Sequence, residues 1–536
     1  MPVTWNREKF NGRSEVVAKW FDLRWSISRF AHFSKATFFN EHSGPVTPFE
    51  LGFITLAAVV SIILVIVSDK TASGQITQYM VFISVLIALK INALQLILGV
   101  SWERAILMHK SIAVVSLACA CIHGIPQLSS SGSAILADGK QYSGLIMILL
   151  MGLQPIMYVI MKPWNFEVFY YFHLAVYVVL VVFAFIHGAL FVLYSIIIFA
   201  VDLLIRYLLN SRRVKFTAER KAGNVVQVTF EKRWDYRPGQ FVFVMIPALG
   251  VHEWHPFSIS SAPHELLVSL HIDVDGDWTQ RLANLLAKES NTGPVELNAF
   301  VEGPYGLFSV NFEDSTYQIV LLISGSIGVT PNQSLANDLL EARACGRPLK
   351  KIVYVWALKE NKLGLIDTMR ESGQLPGITD ITTAGADAGA HDKIGAKQDN
   401  NEHANETEVK DLTFGKIVPG ERVLELEVYC TGAAASGNVK KISVTPQSVS
   451  SELELTSLEA PVLTTEANEA LVMHQGRPNL VAIFQRVKEL AVLHNERRVA
   501  VSVCGPATLV QTAAAACREI TGSEVQFDIH IEKFNL

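Results

Sequence analysis

The chain lacks several features that define common protein classes. Its six cysteines, Cys119, Cys121, Cys345, Cys430, Cys504 and Cys517, are scattered among 536 residues. No pair of them frames a disulfide module or a zinc site, so a soluble part in a reducing compartment is the simpler reading. There is no basic excess: net charge is −5, which removes the usual electrostatic reason for a nucleic-acid partner. The opening MPVTWNREKFNGRSEVV has neither an apolar core nor a small-residue cleavage site, and so is no secretory signal. Charge is sparse across residues 51–209 and dominates after residue 210. What is abundant is apolar sequence: 50% of residues are hydrophobic and mean hydropathy is +0.30. This asymmetry predicts a membrane half followed by a soluble half, within a length that allows two or three domains.

A bilayer core of about 30 Å needs roughly 20 apolar residues per helical crossing. Six stretches meet this approximately: 51–68, 78–100, 105–125, 143–161, 167–189 and 190–209. The last two are joined by a tight turn near Gly188. Basic residues flank the set, from Arg7 to Lys35 before it and from Arg212 to Lys221 after it, whereas the loops 69–77 and 124–142 hold only Lys70 and Lys140. An even number of crossings with basic flanks puts both termini in the cytosol. Residues 16–35 read either as a basic amphipathic helix on the inner membrane face or as an ordinary solvated tail.

Histidine is scarce in this half. Only His109, His123, His173 and His187 fall between His42 and His252, two on the third apolar segment and two on the fifth. Each pair is fourteen residues apart, close to four helical turns, so both members share a face and stand about 21 Å apart along the axis. Ionisable groups inside a bilayer are costly and usually functional. Two helices with matched pairs would sandwich two flat macrocycles. His109 and His173 would hold one haem near the cytosolic side, and His123 and His187 another near the outer side, since imidazole is a standard axial ligand of haem iron. The competing reading, four hydrogen-bonded core histidines, leaves the repeated spacing unexplained. Lys90, Arg104 and Lys110 are candidates for haem propionates, although snorkelling to the interface explains Arg104 and Lys110 equally well.

Residues 214–311 alternate with period two, as in NVVQVTFEK and GQFVFVMIP, which predicts the antiparallel strands of a small barrel. From residue 317, YQIVLLISGSIGVTPNQSLANDLLEARAC reads strand, glycine turn, helix. Such a turn lets a backbone approach a pyrophosphate at a helix N-terminus, or is merely a tight β–α connection. Further strands at 351–357 and 498–504, the second running into Gly505-Pro506 and a helix, imply a parallel sheet with crossovers. Segments 384–410 and 433–470 are rich in small, polar and acidic residues and are expected to be disordered tethers around a real strand at 423–432. Asn405-Glu406-Thr407 is a glycosylation sequon that would face the cytosol.

Taken in order, these strings resemble the NADPH oxidase and ferric reductase flavocytochromes over most of residues 51–536. The resemblance is carried by the paired histidines, HPFSISS at 255–261, GDWT at 276–279, GPYG at 303–306, GSIGVTP at 325–331, GRPN at 476–479 and CGP at 504–506. It implies a six-span α-helical transmembrane bundle binding two haems, followed by a ferredoxin-NADP reductase-like module of an antiparallel β-barrel FAD domain and an α/β nucleotide-binding domain. The implied boundaries are 1–50 for a cytosolic segment, 51–209 for the bis-haem domain, 210–312 for the FAD barrel and 313–536 for the NADPH domain, with an insertion near 381–475. Implied cofactors are FAD, NADPH and two haem b.

The resemblance also implies roles for single residues. FAD would meet His255, Pro256, Phe257, Ser258, Ser260, Ser261, His271, Trp278, Thr279, Gly303, Pro304, Tyr305 and Gly306. The NADPH pyrophosphate would meet Gly325, Gly328, Val329, Thr330 and Pro331, and Arg477 the ribose 2′-phosphate. Cys504, Gly505 and Pro506 would lie beside the nicotinamide, with Cys504 and Phe534 closest to the chemistry and Phe534 stacking on the flavin ring. Two departures stand out. Asp273 occupies the stretch after His271 where relatives often carry a basic residue, so another cation would have to substitute. The chain also ends two residues beyond Phe534.

These features predict an oxidoreductase that passes electrons from cytosolic NADPH to an acceptor across the plasma membrane. Ferric iron or a ferric chelate is the first expectation, because both histidine pairs have thirteen intervening residues, and the oxidases more often have one fewer on the fifth helix. Superoxide production from dioxygen is the alternative. A non-enzymatic channel or transporter would leave the flavin and nucleotide strings idle.

Overall fold

The computed structural model describes residues 38–40, 44–46, 48–90, 102–131, 138–251, 253–289, 293–306, 308–371, 378–383, 423–431 and 469–532. The expected amphipathic segment at 16–35, the sequon and Phe534 lie outside them. A short hairpin, β1 (Phe38–Asn40) and β2 (Gly44–Val46), precedes the helices.

Six helices are long and apolar enough to cross a membrane: α1 (Pro48–Val67), α2 (Lys70–Ala88), α3 (Trp102–Ser131), α4 (Gly139–Trp164), α5 (Phe166–His187) and α6 (Leu190–Ile205). Their outward faces carry apolar side chains such as Leu56, Ile66, Val159 and Phe185, each more than half exposed. A lipid-facing surface of this kind makes the chain a multi-pass membrane protein. Local chemistry sets the ends. Asp69 accepts from the Ala72 N–H at 2.8 Å and starts α2. Asn165 closes α4 with its N–H on the Met161 carbonyl and starts α5 by accepting from the Val168 N–H. Gly188, at φ +86°, ends α5 in the left-handed conformation that glycine adopts without strain. A π-helical turn, Arg206–Asn210, leads out of the bundle.

The second span begins eight residues before the expected start at residue 78, so 69–77 is not a loop. Its first turns, KTASGQIT, are too polar to register as apolar sequence, yet Ser73 is buried. Small and hydroxylated residues at helix contacts let backbones approach closely.

The barrel comprises β3 (Ser211–Lys221), β4 (Val225–Glu231), β5 (Phe241–Met245), β6 (His255–Ser258), β7 (Leu267–Asp273) and β8 (Val295–Tyr305) in the order β6-β5-β8-β3-β4-β7. A bridge between Ile259 and Leu270 ties the two edges together. Phe216, Val228 and Leu270 fill the interior, and α7 (Asp277–Glu289) adds Trp278, Leu282 and Leu286 to the same core.

The last part is a seven-stranded parallel sheet, β11-β13-β12-β10-β9-β14-β15. Its strands are β9 (Ile319–Gly325), β10 (Lys351–Lys359), β11 (Ile378–Thr383), β12 (Leu424–Thr431), β13 (Glu469–Gln475), β14 (Arg498–Cys504) and β15 (Gln526–Glu532). Apolar cores cover both faces, as a parallel sheet requires. Helix α8 (Val329–Ala344) follows β9, α9 (Gly364–Glu371) follows β10, α10 (Leu480–Leu493) precedes β14 and α11 (Ala507–Ile520) follows it. The expected strand at 423–432 is β12, paired in parallel with β10. Strands β11 and β13 also belong to the sheet, so both ends of the expected insertion are structured, and the segment expected to be disordered up to residue 470 already contains the start of β13. The chain leaves β9 toward β10 on one side, while β14 lies on the other. The C-terminal ends of β9 and β14 therefore flank the crevice where such sheets hold ligands.

Candidate functional site

The four bundle histidines are each fixed by one ring nitrogen. On α3, His109 Nδ1 donates to the Ser84 carbonyl at 2.8 Å, and His123 Nδ1 meets Ser73 Oγ at 2.9 Å. On α5, His173 Nδ1 donates to Gln154 Oε1 at 2.6 Å, and His187 Nδ1 to the Lys140 carbonyl at 2.8 Å. Helix α2 thus orients both histidines of α3, and α4 both histidines of α5. No hydrogen-bond partner meets any of the four Nε2 atoms among the described residues. Metal-ligating histidines are held in this way, the second nitrogen fixing tautomer and ring direction.

The rings of His109 and His173 have centroids 6.2 Å apart. Two imidazoles sharing one metal at bonds of about 2 Å have centres about 6 Å apart, so this pair fits a bis-histidine iron. Gly74 and Gly144 leave room for the other pair. A Cβ at Gly74 would stand 3.1 Å from the His123 ring, and one at Gly144 2.9 Å from the His187 ring. Three of these supporting residues, Ser73, Ser84 and Gln154, escaped the sequence reading, as did both glycines. A signal exists: Ser73 and Ser84 are eleven residues apart, as are Gln154 and Ser143, whose Oγ lies 3.4 Å from His187 Nδ1, and eleven residues is about three helical turns.

The cations proposed for propionates are engaged elsewhere. Arg104 pairs with buried Glu50 on α1, and Lys110 donates to the Tyr158 hydroxyl at 3.0 Å. Lys90 meets Glu302 of the barrel. Each finds a protein partner because an unpaired charge here would be costly to bury.

In the barrel, Ser258 Oγ, His255 Nε2, His271 Nε2 and Trp278 Nε1 are buried with no hydrogen-bond partner among the described residues. Orphaned polar atoms are rare in folded proteins, and these four on HPFSISS, β7 and GDWT, of which His255 Nε2 has the Glu167 carboxylate 3.7 Å away, mark a surface completed by a polar ligand. His255 lies against Trp278 with ring centroids 4.7 Å apart, and Phe257 flanks the same indole. Burial pushes the His271 pKa down to about 4, so its ring is neutral. Ser260 and Ser261 are spent inside the barrel instead. Ser260 Oγ bonds the Ser269 carbonyl, and Ser261 Oγ accepts from the Ser269 N–H. Thr279 closes a local turn on Gly276 at the start of α7. The stretch Gly303–Gly306, with Pro304 and Tyr305, ends β8, and the Gly306 carbonyl accepts from Gln240. Glu167, Glu253 and His255 converge closely enough to suggest a cation site, but Arg281 already engages Glu253. The cation opposite Asp273 is Lys362, contributed by the nucleotide domain between β10 and α9.

At the sheet crevice the glycines pack two turns together. A Cβ on Gly328 would lie 2.6 Å from the Cys504 carbonyl oxygen, and one on Gly325 2.6 Å from Pro506. Gly505 closes on Gly325 from the other side. The N-termini of α8, opened by Val329, Thr330 and Pro331, and of α11, behind Pro506, are thereby brought to one place, where helix ends favour an anion. Cys504 is fully buried, and burial, with the Glu532 carboxylate, pushes its thiol pKa up. It is therefore a neutral thiol rather than a nucleophile. Arg477 is exposed in the turn after β13 and forms no ion pair among the described residues. If Arg477 holds the ribose 2′-phosphate, as the family resemblance implies, replacing it with alanine raises KM for NADPH about tenfold and leaves KM for NADH unchanged, because a charge-assisted bond to phosphate is worth about 1.5–3 kcal/mol. Equal effects on both nucleotides would remove Arg477 from this role.

Three family descriptions match the chain: "Ferric reductase like transmembrane component" over residues 73–184, "FAD-binding domain" over 210–309 and "Ferric reductase NAD binding domain" over 410–518. A superoxide-generating NADPH oxidase heavy chain of Dictyostelium discoideum is 24% identical over 418 residues, covering 73% of this chain and 52% of that one. A second superoxide-generating NADPH oxidase heavy chain of the same organism is 34% identical over 183 residues, 32% of each chain. Dual oxidase 2 of Sus scrofa is 27% identical over 326 residues, 51% of this chain and 21% of its own. The chain thus spans about half the length, or less, of these relatives. Three matches in chain order, each on the part of the fold that suits it, establish that the chain belongs to the ferric reductase/NADPH oxidase flavocytochrome superfamily of oxidoreductases.

Proposed function

We propose that the protein moves electrons from cytosolic NADPH outward across the plasma membrane to dioxygen, with both termini in the cytosol. The observation that carries the trans-membrane route is the double set of histidines, each oriented through Nδ1 and presenting Nε2. When bound, FAD accepts hydride from NADPH and two haems carry single electrons through the lipid. The chain's own residues supply position. His109 with His173, and His123 with His187, would hold the two irons. The orphaned atoms of His255, Ser258, His271 and Trp278 would receive the flavin. The α8 N-terminus and Arg477 would bind the two phosphate regions of NADPH.

Dioxygen is preferred over the ferric iron first expected from sequence, because the relatives named above are oxidases. Ferric-chelate reduction remains the second reading, favoured by thirteen intervening residues in both histidine pairs. Intact cells expressing the protein separate the two. The expected result is external dye reduction that superoxide dismutase suppresses at least tenfold. External ferrous chelate formation that persists without oxygen, with no dismutase-sensitive signal, would reverse the choice.

A further inference from the structure

Glu302 lies on β8 immediately before Gly303, and its side chain meets the membrane helices. Its Oε1 accepts from Lys90 Nζ at 3.3 Å, from Arg206 Nη1 at 3.3 Å and from the Tyr305 hydroxyl at 2.6 Å. Arg206, in the π-helical turn after α6, also donates from Nε to Asp202 at 2.9 Å. Lys90 Nζ stands 3.4 Å from the centre of the Phe243 ring on β5, a favourable cation–π position. The side chains of Lys90, Arg206 and Glu302 are 17%, 10% and 8% exposed. Burial alone would raise the Glu302 pKa, but Lys90, Tyr305 and Arg206 hold it below the usual carboxylate range.

Two cations and two anions cancel in this quartet. Three of the charges belong to the bundle and one to the barrel. Glu302 is the only carboxylate that meets Lys90 among the described residues, so lifting the barrel away would strip Lys90 of its counter-charge and of the Phe243 ring together. The quartet also sits at the end of the bundle nearest His109 and His173, since α2 ends, α3 starts, α5 starts and α6 ends on the barrel side.

We propose that Lys90 and Arg206 are positioning residues that seat the flavin barrel against the bundle through Glu302, fixing the gap between the flavin surface and the His109–His173 pair. This rests on the proposed electron route. Electron passage between separated groups weakens exponentially with the distance between them, so the seat would govern passage into the bundle and not hydride transfer from NADPH.

Three full-length variants test it: Glu302→Gln, Lys90→Gln and the double Lys90→Gln/Glu302→Gln. Stopped-flow absorbance would follow flavin and haem reduction by NADPH. Hydrogen exchange would follow the amides of Arg206–Asn210 and the last turn of α2. In Glu302→Gln, haem reduction is expected to slow at least tenfold, flavin reduction to stay within twofold, and exchange at both segments to rise. The double variant restores charge balance without restoring the seat, and is expected to behave like Glu302→Gln. Recovery of parental haem reduction in the double variant would reduce the quartet to simple charge compensation and overturn the proposal. Haem reduction within twofold of the parent in Glu302→Gln would overturn it as well. If the parent protein bound no haem, the electron route would fall, and exchange alone would decide whether Glu302 seats the barrel.

Discussion

Replacing His173 with alanine is expected to abolish NADPH-driven reduction on the far side of the membrane, by more than a hundredfold, while NADPH still reduces the flavin. His173 is the more exposed test of the iron-binding reading because its environment is so specific. Its Nδ1 is held by Gln154 at 2.6 Å, its ring centre lies 6.2 Å from that of His109, and its Nε2 meets no protein atom as a hydrogen-bond partner among the described residues. Losing even a supporting hydrogen bond commonly costs 10–100-fold in metal affinity, and losing the ligand itself costs more. The direct measurement is haem per chain in the purified variant, read from the Soret band and by pyridine haemochrome. The count should fall from two to one. A variant that still carries two, and still reduces an external acceptor, would break the assignment of the barrel-proximal pair.

The second large effect is expected at the opposite end of the route. In Gly328→Ala the new methyl would stand 2.6 Å from the Cys504 carbonyl oxygen, 2.9 Å from its carbon and 3.1 Å from the Gly505 Cα. All three are backbone atoms, so no side chain can swing aside. Overpacking of this kind costs about 1–3 kcal/mol, and relief would have to come from parting the two turns that bring α8 and α11 together. Flavin reduction by NADPH is expected to fall on the order of 100-fold, with FAD content and dithionite-reducible haem unchanged. Gly152→Ala is the matched control, because nothing lies within 4 Å of the added atom. Flavin reduction at the parental rate in Gly328→Ala would show that the packed turns do not shape the nucleotide site.

These two sites differ in how much of them the sequence disclosed. The histidines were legible because fourteen-residue spacing is a local property of a helix, and apolar surroundings make an imidazole conspicuous. Their supports were not, because which serine or glutamine meets which ring depends on how α2 packs on α3 and α4 on α5. The polar start of α2 is hidden for a related reason: Ser73 is buried and Gly74 half-buried against His123 on α3, so low hydropathy there reflects an interior contact and not a loop. The protein partner of Lys90 is not legible in the sequence because Glu302 lies 212 residues away, beyond any local pattern. Strands β11 and β13 were hidden by the long connections that separate them from β12. Asp273 read as a departure until Lys362, from another domain, appeared opposite it.

Asn165 carries a consequence for how this molecule can vary. One side chain and one amide of the same residue end α4 and begin α5, so the hairpin has no slack in its corner. Adding or deleting a single residue there would rotate α5 by about 100° about its axis. Both His173 and His187 would turn away together from Gln154 and from the Lys140 carbonyl. The corner can accept exchanges of residue type, but its length is locked to the angular phase of the electron wire.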